Sequence, residues 1–302
     1  MARTYDFYLA DAFTRKPFTG NPAGVVVNAE GLSEAEMQAI AREINASETA
    51  FILPPKDMNH DLHVRFFTPK VEVPICGHAT IALHHVLAEL QIEEATPEGA
   101  RYLQRSSAGI YPIEIVLRKD GPWIIMSQPI PDLCELPAGL PREELLAGLG
   151  LQETDLDRDL PFGAMVSGGE YTVFVPVRRR AVLDSLVPRH HRLSAGYTCY
   201  MLYTMDSPDP ACLTYCRMFA PAYGINEDPV TGMANGPLGA FLTSRGLAGN
   251  DDGRFRFLST QGVAMGRPGE VEVTIGHEGR LVSSVEVAGM AVTILRSTLI
   301  LP

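Results

Sequence analysis

Two stretches of the chain carry one pattern, and that repetition constrains the fold more than any other feature. Arg65–Leu90 reads RFFTPKVEVPICGHATIALHHVLAEL. A strand-like run with two aromatics stops at Thr68-Pro69, a loop follows, and Gly77-His78 opens a run that is apolar almost all round (Ala79, Ile81, Ala82, Leu83, Val86, Leu87, Leu90). A helix with so little polar face belongs inside a lobe. Arg217–Leu247, RMFAPAYGINEDPVTGMANGPLGAFLTSRGL, repeats it: Arg-x-Phe-x-Pro, a loop with three more residues, then Gly-x-Ala opening an apolar helix. The likeness runs on. Tyr102-Leu103 precedes a Ser-Ser-Ala-Gly turn and a strand, and Phe257-Leu258 precedes Ser-Thr-Gln-Gly and a strand.

Units this long exclude a solenoid, and 302 residues exceed what one hydrophobic core usually serves. The expectation is two copies of one α+β lobe, residues 1–127 and 128–287, with a C-terminal strand of about 288–302 returning to the first. The two loop–helix junctions are expected to face one cleft. The stretch Gln128–Pro141, with four prolines in fourteen residues, suits an extended crossing between the lobes.

Elsewhere the reading is local. Residues 4–13 form a strand, Gly20-Asn21-Pro22 carries turn chemistry, and Val25–Val27 is a short buried strand. Ser33 and Glu36 form a capping box, after which Met37, Ile40, Ala41 and Ile44 share one helical face. Ala46–Leu53 is a strand, and Arg142–Leu149 is a short helix. Val282–Leu301 alternates strongly, as a long strand or a strand pair.

Free N–H groups at a helix start, with the macrodipole, make an anion site that needs no basic side chain. Gly77 and Gly232 let a ligand approach the backbone at two matched places, which favours function over mere tight packing. Pro237 complicates the second helix, where it is expected to kink or delay it. Along Ala46–Leu53 simple alternation puts Glu48 with Ala50 and Ile52. Apolar surroundings disfavour the charged form of such a carboxyl group, as a general acid/base near neutral pH requires. A solvated strand-end Glu is the plainer alternative. His78, at a helix start, is expected to stay neutral and relay protons, or else to serve as a structural cap. Asp228 precedes the second junction in Glu227-Asp228-Pro229.

The formal charge of −11 argues against nucleic acid and anionic membranes as partners. Arg178-Arg179-Arg180 is the only basic run and suits a solvated strand end. No secretory leader pattern and no membrane-length segment is present, so cytoplasmic residence is expected. The five cysteines (76, 134, 199, 212, 216) are too scattered for a disulfide framework, and Cys212 and Cys216 suit small buried hydrophobes. No Walker A, G-x-G-x-x-G, H-E-x-x-H or G-x-S-x-G motif occurs. The pairs His84-His85 and His190-His191 and the spacing His60-x-x-His63 lack acidic or thiol companions in sequence, so no metal site is expected. Only four lysines are present, which argues against a Schiff-base cofactor.

DAFTRKPFTGNPAGVV, ASETAFI, RFFTPKVEVPICGHAT, FAPAYGINEDPVTG and QGVAMGR together resemble the PhzF-like phenazine-biosynthesis isomerases of the diaminopimelate-epimerase-like superfamily. They run in family order from residue 11 to 267. The resemblance implies two pseudo-symmetric lobes, each a β-barrel-like sheet around a central helix, with the active site between them. It implies that Glu48 is the acid/base, with His78 and Asp228 as its catalytic partners. Gly77-His78 and Gly232-Met233 would hold a substrate carboxylate through backbone N–H groups, with Asn21 and Ser47 also touching substrate. No cofactor and no metal is implied, and a homodimer is an option the resemblance leaves open.

One departure is visible. Met233 stands where the phenazine-pathway isomerases carry Ser, and Met supplies neither a hydroxyl nor its shape. The expected activity is a cofactor-independent isomerase moving a proton on a small carboxylate substrate. The alternatives are an amino-acid epimerase pairing Glu48 with Cys76, and a binding protein that kept the cleft and lost the chemistry. An epimerase with two thiols is disfavoured, since the second junction has no cysteine.

Overall fold

A computed structural model describes residues 2–136, 141–167, 170–193, 198–247 and 252–301. In chain order the strands and helices are β1 (Arg3–Ala12), β2 (Asn21–Val26), α1 (Glu34–Ile44), β3 (Glu48–Leu53), β4 (Leu62–Phe67), β5 (Glu72–Val73) and α2 (Gly77–Glu89). β6 (Ala100–Ser106), β7 (Gly109–Arg118), β8 (Gly121–Gln128), β9 (Asp132–Cys134), α3 (Arg142–Leu149), β10 (Gly163–Ser167) and β11 (Glu170–Pro176) follow. Then come α4 (Arg180–Ser185), α5 (His190–Leu193), β12 (Thr198–Thr204), β13 (Cys212–Ala220), β14 (Ile225–Asp228) and α6 (Gly232–Ser244). β15 (Arg254–Gln261), β16 (Gly269–Glu278), β17 (Leu281–Gly289) and β18 (Ala291–Leu301) complete the chain. Strands dominate and helices are few, which makes the fold α+β.

The chain divides into two compact units, Met1–Ser127 with Ala288–Pro302, and Gln128–Val287. Within the first, β1 is antiparallel to β18 and to β2, and β2 is parallel to β3 across the α1 crossover. β3–β4 and β4–β5 are antiparallel, β4 is parallel to β6, and β6–β7 is antiparallel. Within the second unit, β10 is antiparallel to β9 and to β11, and β11 is parallel to β12. β12–β13 and β13–β14 are antiparallel, β13 is parallel to β15, and β15–β16 is antiparallel. The succession of pairings is the same in both.

Each unit encloses one apolar helix. α2 packs against β1, β2, β3 and β18, and all of Gly77–Leu87 is buried. Two of its polar side chains are tied down internally: Thr80 Oγ1 donates to the Cys76 carbonyl (2.7 Å), and His84 sits between Glu93 Oε2 (2.6 Å) and Gln104 Oε1 (3.1 Å). Burial of each of Ile81, Leu83, Val86 and Leu87 contributes about 1.5–3 kcal/mol. α6 packs against β10, β11, β12, β15 and β16. It comes close enough that a Cβ on Gly239 would lie 2.7 Å from Val273 Cγ1. Pro237 does not delay α6, which begins at Gly232 and runs through the proline. The missing N–H leaves the Met233 carbonyl without its helical donor.

The Arg-x-Phe-x-Pro element has a structural meaning. Arg65 forks onto Glu72 across the β4–β5 hairpin (Nε to Oε1 2.8 Å, Nη2 to Oε2 2.6 Å) and lies over the Phe67 ring. Arg217 forks onto Glu227 across β13–β14 (both contacts 2.8 Å) and lies over Phe219. The three extra residues of the second loop separate Arg217 from its glutamate.

Several sequence expectations are corrected. Gly20 makes the turn (φ 64°), but Asn21 and Pro22 already belong to β2. Part of the proline-rich stretch is β9, paired with β10, and residues 137–140 of it lie outside the described set. Glu48 is buried with Ala50 and Ile52 as alternation expects, but Thr49 and Phe51 are buried as well, so β3 is covered on both faces. The Ser33–Glu36 capping box is present, Arg178–Arg180 is exposed, and the five cysteines are not in disulfides. Among the described residues no helix is long and apolar enough to cross a membrane.

Candidate active site

In the first unit the parallel β2–β3 pair sets Ala23 opposite Glu48, which brings the start of β3 beside the start of β2. Ser47 Oγ donates to Asn21 Oδ1 (3.1 Å). Asn21 and Glu48 are buried and Ser47 is half-buried. α2 begins against the same strands, so His78 Nε2 comes to 3.1 Å from Glu48 Oε2. The approach lacks hydrogen-bond alignment, and both atoms are buried with no hydrogen-bond partner. On the other edge of the imidazole, Nδ1 is 3.5 Å from Cys76 Sγ. Asn21, Ser47, Glu48, Gly77 and His78 thus gather in one place, and sequence reasoning did not connect Cys76 to His78.

The electrostatics reverse one expectation. Burial opposes the protonated form of His78, yet the adjoining Cys76 and Glu48 outweigh it and hold the imidazole well above its usual range. A helix start alone would have kept it neutral. Burial, then the charge of Glu48, pushes the Cys76 thiol up. The carboxyl, imidazole and thiol groups are thus electrostatically coupled. They place three groups able to take or give a proton within a single buried cluster.

In the second unit, Asp228 ends β14, and Gly232 and Met233 open α6; Asp228 and Gly232 are buried and Met233 is half-buried. Here most of the polar groups bond one another, although Asn235 Oδ1 and Gln128 Oε1 are buried without a hydrogen-bond partner. Thr231 Oγ1 donates to Asp228 Oδ2. Gln261 Nε2 donates to the Asp228 carbonyl (2.8 Å) and to Thr231 Oγ1 (3.0 Å). Gln261 Oε1 accepts from the Thr231 N–H (3.1 Å) and from Asn235 Nδ2 (3.0 Å). Gln128 Nε2 donates to the Gly232 carbonyl (3.1 Å). Thr231, Asn235, Gln261 and Gln128 were not foreseen as site residues, although Thr231 and Gln261 lie in two of the family motifs and Asn235 stands one helical turn past Thr231.

Other candidates carry less. The histidine pairs do have acidic companions, drawn from elsewhere in the chain or one helical turn on: His84 with Glu93, His85 with Glu89 (3.4 Å) and His60 with Asp57 (3.0 Å). A cavity of about 650 Å³ opens in the first unit beside Leu53, Lys56, His63 and Arg105. It contains none of the residues above, and Arg65 and Arg105 at its rim are already paired with Glu72 and Asp57. For a metal, the described residues offer Glu48–Cys76–His78, all buried, and Asp209–Cys212–Glu270, whose two acids are exposed.

Comparison with known proteins agrees with this architecture at two levels. A hydroxyproline epimerase from Agrobacterium vitis superposes with a TM-score of 0.65 over 99% of this chain and 93% of that one. At 13% identity the likeness places the fold alone. Within that fold class the match is particular. Residues 10–297 match the family described as phenazine biosynthesis-like protein (PhzC-PhzF). An uncharacterized isomerase of Clostridium acetobutylicum is 43% identical over the whole of both chains. The trans-2,3-dihydro-3-hydroxyanthranilate isomerase of Pseudomonas chlororaphis is 32% identical, covering 98% of this chain and 100% of that one. The crystal structure of a PhzF-family protein from Bacillus anthracis superposes with a TM-score of 0.87 at 31% identity, covering 98% and 99%. The chain belongs to the PhzF-like family, and it is an isomerase.

Proposed function

We propose that the protein moves a proton between two positions of a small carboxylate substrate without a cofactor, with Glu48 as the group that takes and returns it. The observation that carries this reading is the buried Glu48–His78 contact at 3.1 Å, where neither atom has a hydrogen-bond partner. A carboxyl group so placed is poised towards a ligand rather than towards the protein. His78 supplies positive charge beside it, and the open N-terminus of α2, whose cap makes no side-chain hydrogen bond, supports holding the substrate carboxylate. Asn21 and Ser47 flank the same place and are assigned to substrate binding. Asp228, Gly232 and Met233 are assigned to the same reaction on the strength of the family motif and the matching helix start.

The substrate class is a cyclic hydroxy- or amino-acid. The Pseudomonas relative is named for such a compound. Met233 presents a thioether at the helix start, and this favours a substrate with an apolar group there. Proton exchange in deuterated solvent, followed by NMR over a panel of such acids, identifies the substrate. Glu48→Gln then slows exchange by about 10²–10⁴-fold, the usual share of a general acid/base. Exchange at the wild-type rate would sink the assignment.

A second reading has one observation in its favour. Cys76, held as a thiol beside His78, is the proton donor an epimerase would need opposite Glu48. Inversion at a single carbon, lost in Cys76→Ala, separates it from the isomerase. The reading as a binding protein without chemistry loses its ground to the isomerase relatives.

A further inference from the structure

The trio at the start of α2 has a property that proton transfer does not use. Glu48, Cys76 and His78 each offer an atom within 4.8 Å of the other two, and all three are buried. Cys76 Sγ and His78 Nδ1 are 3.5 Å apart. A tetrahedral centre with bonds of about 2.3 Å to sulfur and about 2.0 Å to nitrogen needs very nearly that separation. Glu48 Oε2 is buried without a hydrogen-bond partner, a cost of the kind a ligand relieves.

Charge points the same way. One carboxylate, one thiolate and a neutral imidazole around a divalent cation sum to zero, so the filled site avoids the penalty of a net buried charge. A thiolate with an imidazole selects zinc-like ions over magnesium or calcium, which prefer oxygen ligands throughout.

We propose that Glu48, Cys76 and His78 form a binding site for one thiophilic divalent cation of the zinc class. The Cys76 sulfur, a His78 ring nitrogen and a Glu48 oxygen each bond the ion. The thiol proton, and the extra proton of His78, leave to solvent. Three protein ligands leave a fourth position open. On the proton-transfer reading above, occupancy withdraws all three groups together, and the isomerase stops while the ion is bound.

The other cluster is a control rather than a rival. Asp209 and Glu270 are exposed around Cys212, and exposed carboxylates remain hydrated without a metal. His84 offers no site either, because both of its ring nitrogens already face protein oxygens.

The test reads metal and protein alone, so it does not depend on the proposed reaction. Purified full-length protein is stripped with a chelator and titrated with Co²⁺, a spectroscopic stand-in for Zn²⁺. The expected result is one Co²⁺ per chain with sulfur-to-cobalt charge-transfer absorption, unchanged in Cys212→Ser and absent in Cys76→Ser. Zn²⁺ added afterwards removes the absorption. Glu48→Gln and His78→Asn each weaken binding by more than about tenfold, since even outer-shell losses cost about 10–100-fold. Melting curves establish that each variant is folded, and His78→Asn decides the matter if Cys76→Ser is not. No sulfur-to-cobalt absorption in the wild type, or affinities unaltered in folded Glu48→Gln and His78→Asn, overturns the site. If Glu48→Gln instead exchanges substrate protons normally, the reaction assignment fails and the metal result stands.

Discussion

The two Gly-x-Ala junctions share a backbone and differ in what their side chains leave undone. α2 and α6 are the same length, begin after extended caps without side-chain capping bonds, and are almost wholly buried. Yet at the first junction Glu48, Cys76 and His78 crowd together with polar atoms unbonded. At the second, Thr231, Asp228, Asn235 and Gln261 bind one another, and the atoms left unbonded are the amide oxygens of Asn235 and Gln128 rather than ionisable groups. Buried polar groups are normally satisfied, and the exceptions ask for an explanation. The second junction commits most of its polar groups to internal bonds, and the first leaves an ionisable pair unbonded. The copies thus share a scaffold and differ in the chemistry of the groups left over.

The Arg forks allow the strongest attempt to break the comparison. Arg217 is buried and also donates to the Leu183 and Leu186 carbonyls (2.6 and 3.1 Å), whereas Arg65 is part-exposed and shares itself with Glu34. Glu227→Gln leaves a buried guanidinium charge without its carboxylate and is expected to cost about 3–5 kcal/mol in chemical denaturation. Glu72→Gln, at the more exposed fork, costs about 1 kcal/mol or less. Equal losses would mean that the two hairpins are energetic as well as geometric copies.

How far sequence could foresee this depends on what a pattern encodes. An all-round apolar run can only be an enclosed helix, so α2 was legible from Ala79 through Leu87. Ser33 and Glu36 announce α1 because capping is local. What failed involves partners remote in sequence. Period-two reading accounts for only one buried face of β3, but α1 and α2 pack on the strand and Thr49 and Phe51 are buried as completely as Ala50. Prolines marked 128–141 as a crossing, yet β10 recruits Asp132–Cys134 as a strand. In the site, residue types named Glu48 and His78. The charge state of His78 was misjudged, because the helix start is sequence-visible while the converging Glu48 is not.

Thr231 and Cys76 occupy the same cap position, so removing the hydroxyl of one and the sulfur of the other sharpens the contrast at the junctions themselves. Thr231→Val removes a hydroxyl that donates to Asp228 Oδ2 and accepts from Gln261 Nε2. The expected cost is about 1–3 kcal/mol, because buried partners lose a bond they cannot replace. Cys76→Ala removes one buried sulfur atom and its weak contact with His78, for about 0.5–1.5 kcal/mol. Urea midpoints at fixed m-value read both. A larger loss at Cys76 would show that the first junction, too, is built for stability.

The smallest effect separates the strands that precede the two forks. Counting back two residues from each arginine gives His63 in β4 and Tyr215 in β13. Burial, then the charges of Lys56, His60, Arg105 and Arg65, lower His63 from its ordinary 6.5 to about 4. Tyr215 is displaced upwards, away from the acid range, by burial and by Asp184. A depressed histidine stabilises the fold fully above the unfolded pKa. Between pH 6.5 and about 4 the unfolded chain takes up a proton that the folded chain refuses, so stability falls as pH falls. Carboxylates contribute their own acid sensitivity, and the difference between wild type and His63→Gln removes it. That difference should shrink as pH drops from 6.5 to 4, with His63→Gln less acid-sensitive than wild type. Tyr215→Phe should leave the slope over the same window unchanged. Parallel curves for wild type and His63→Gln would mean that the imidazole stays as hydrated in the fold as in the unfolded chain.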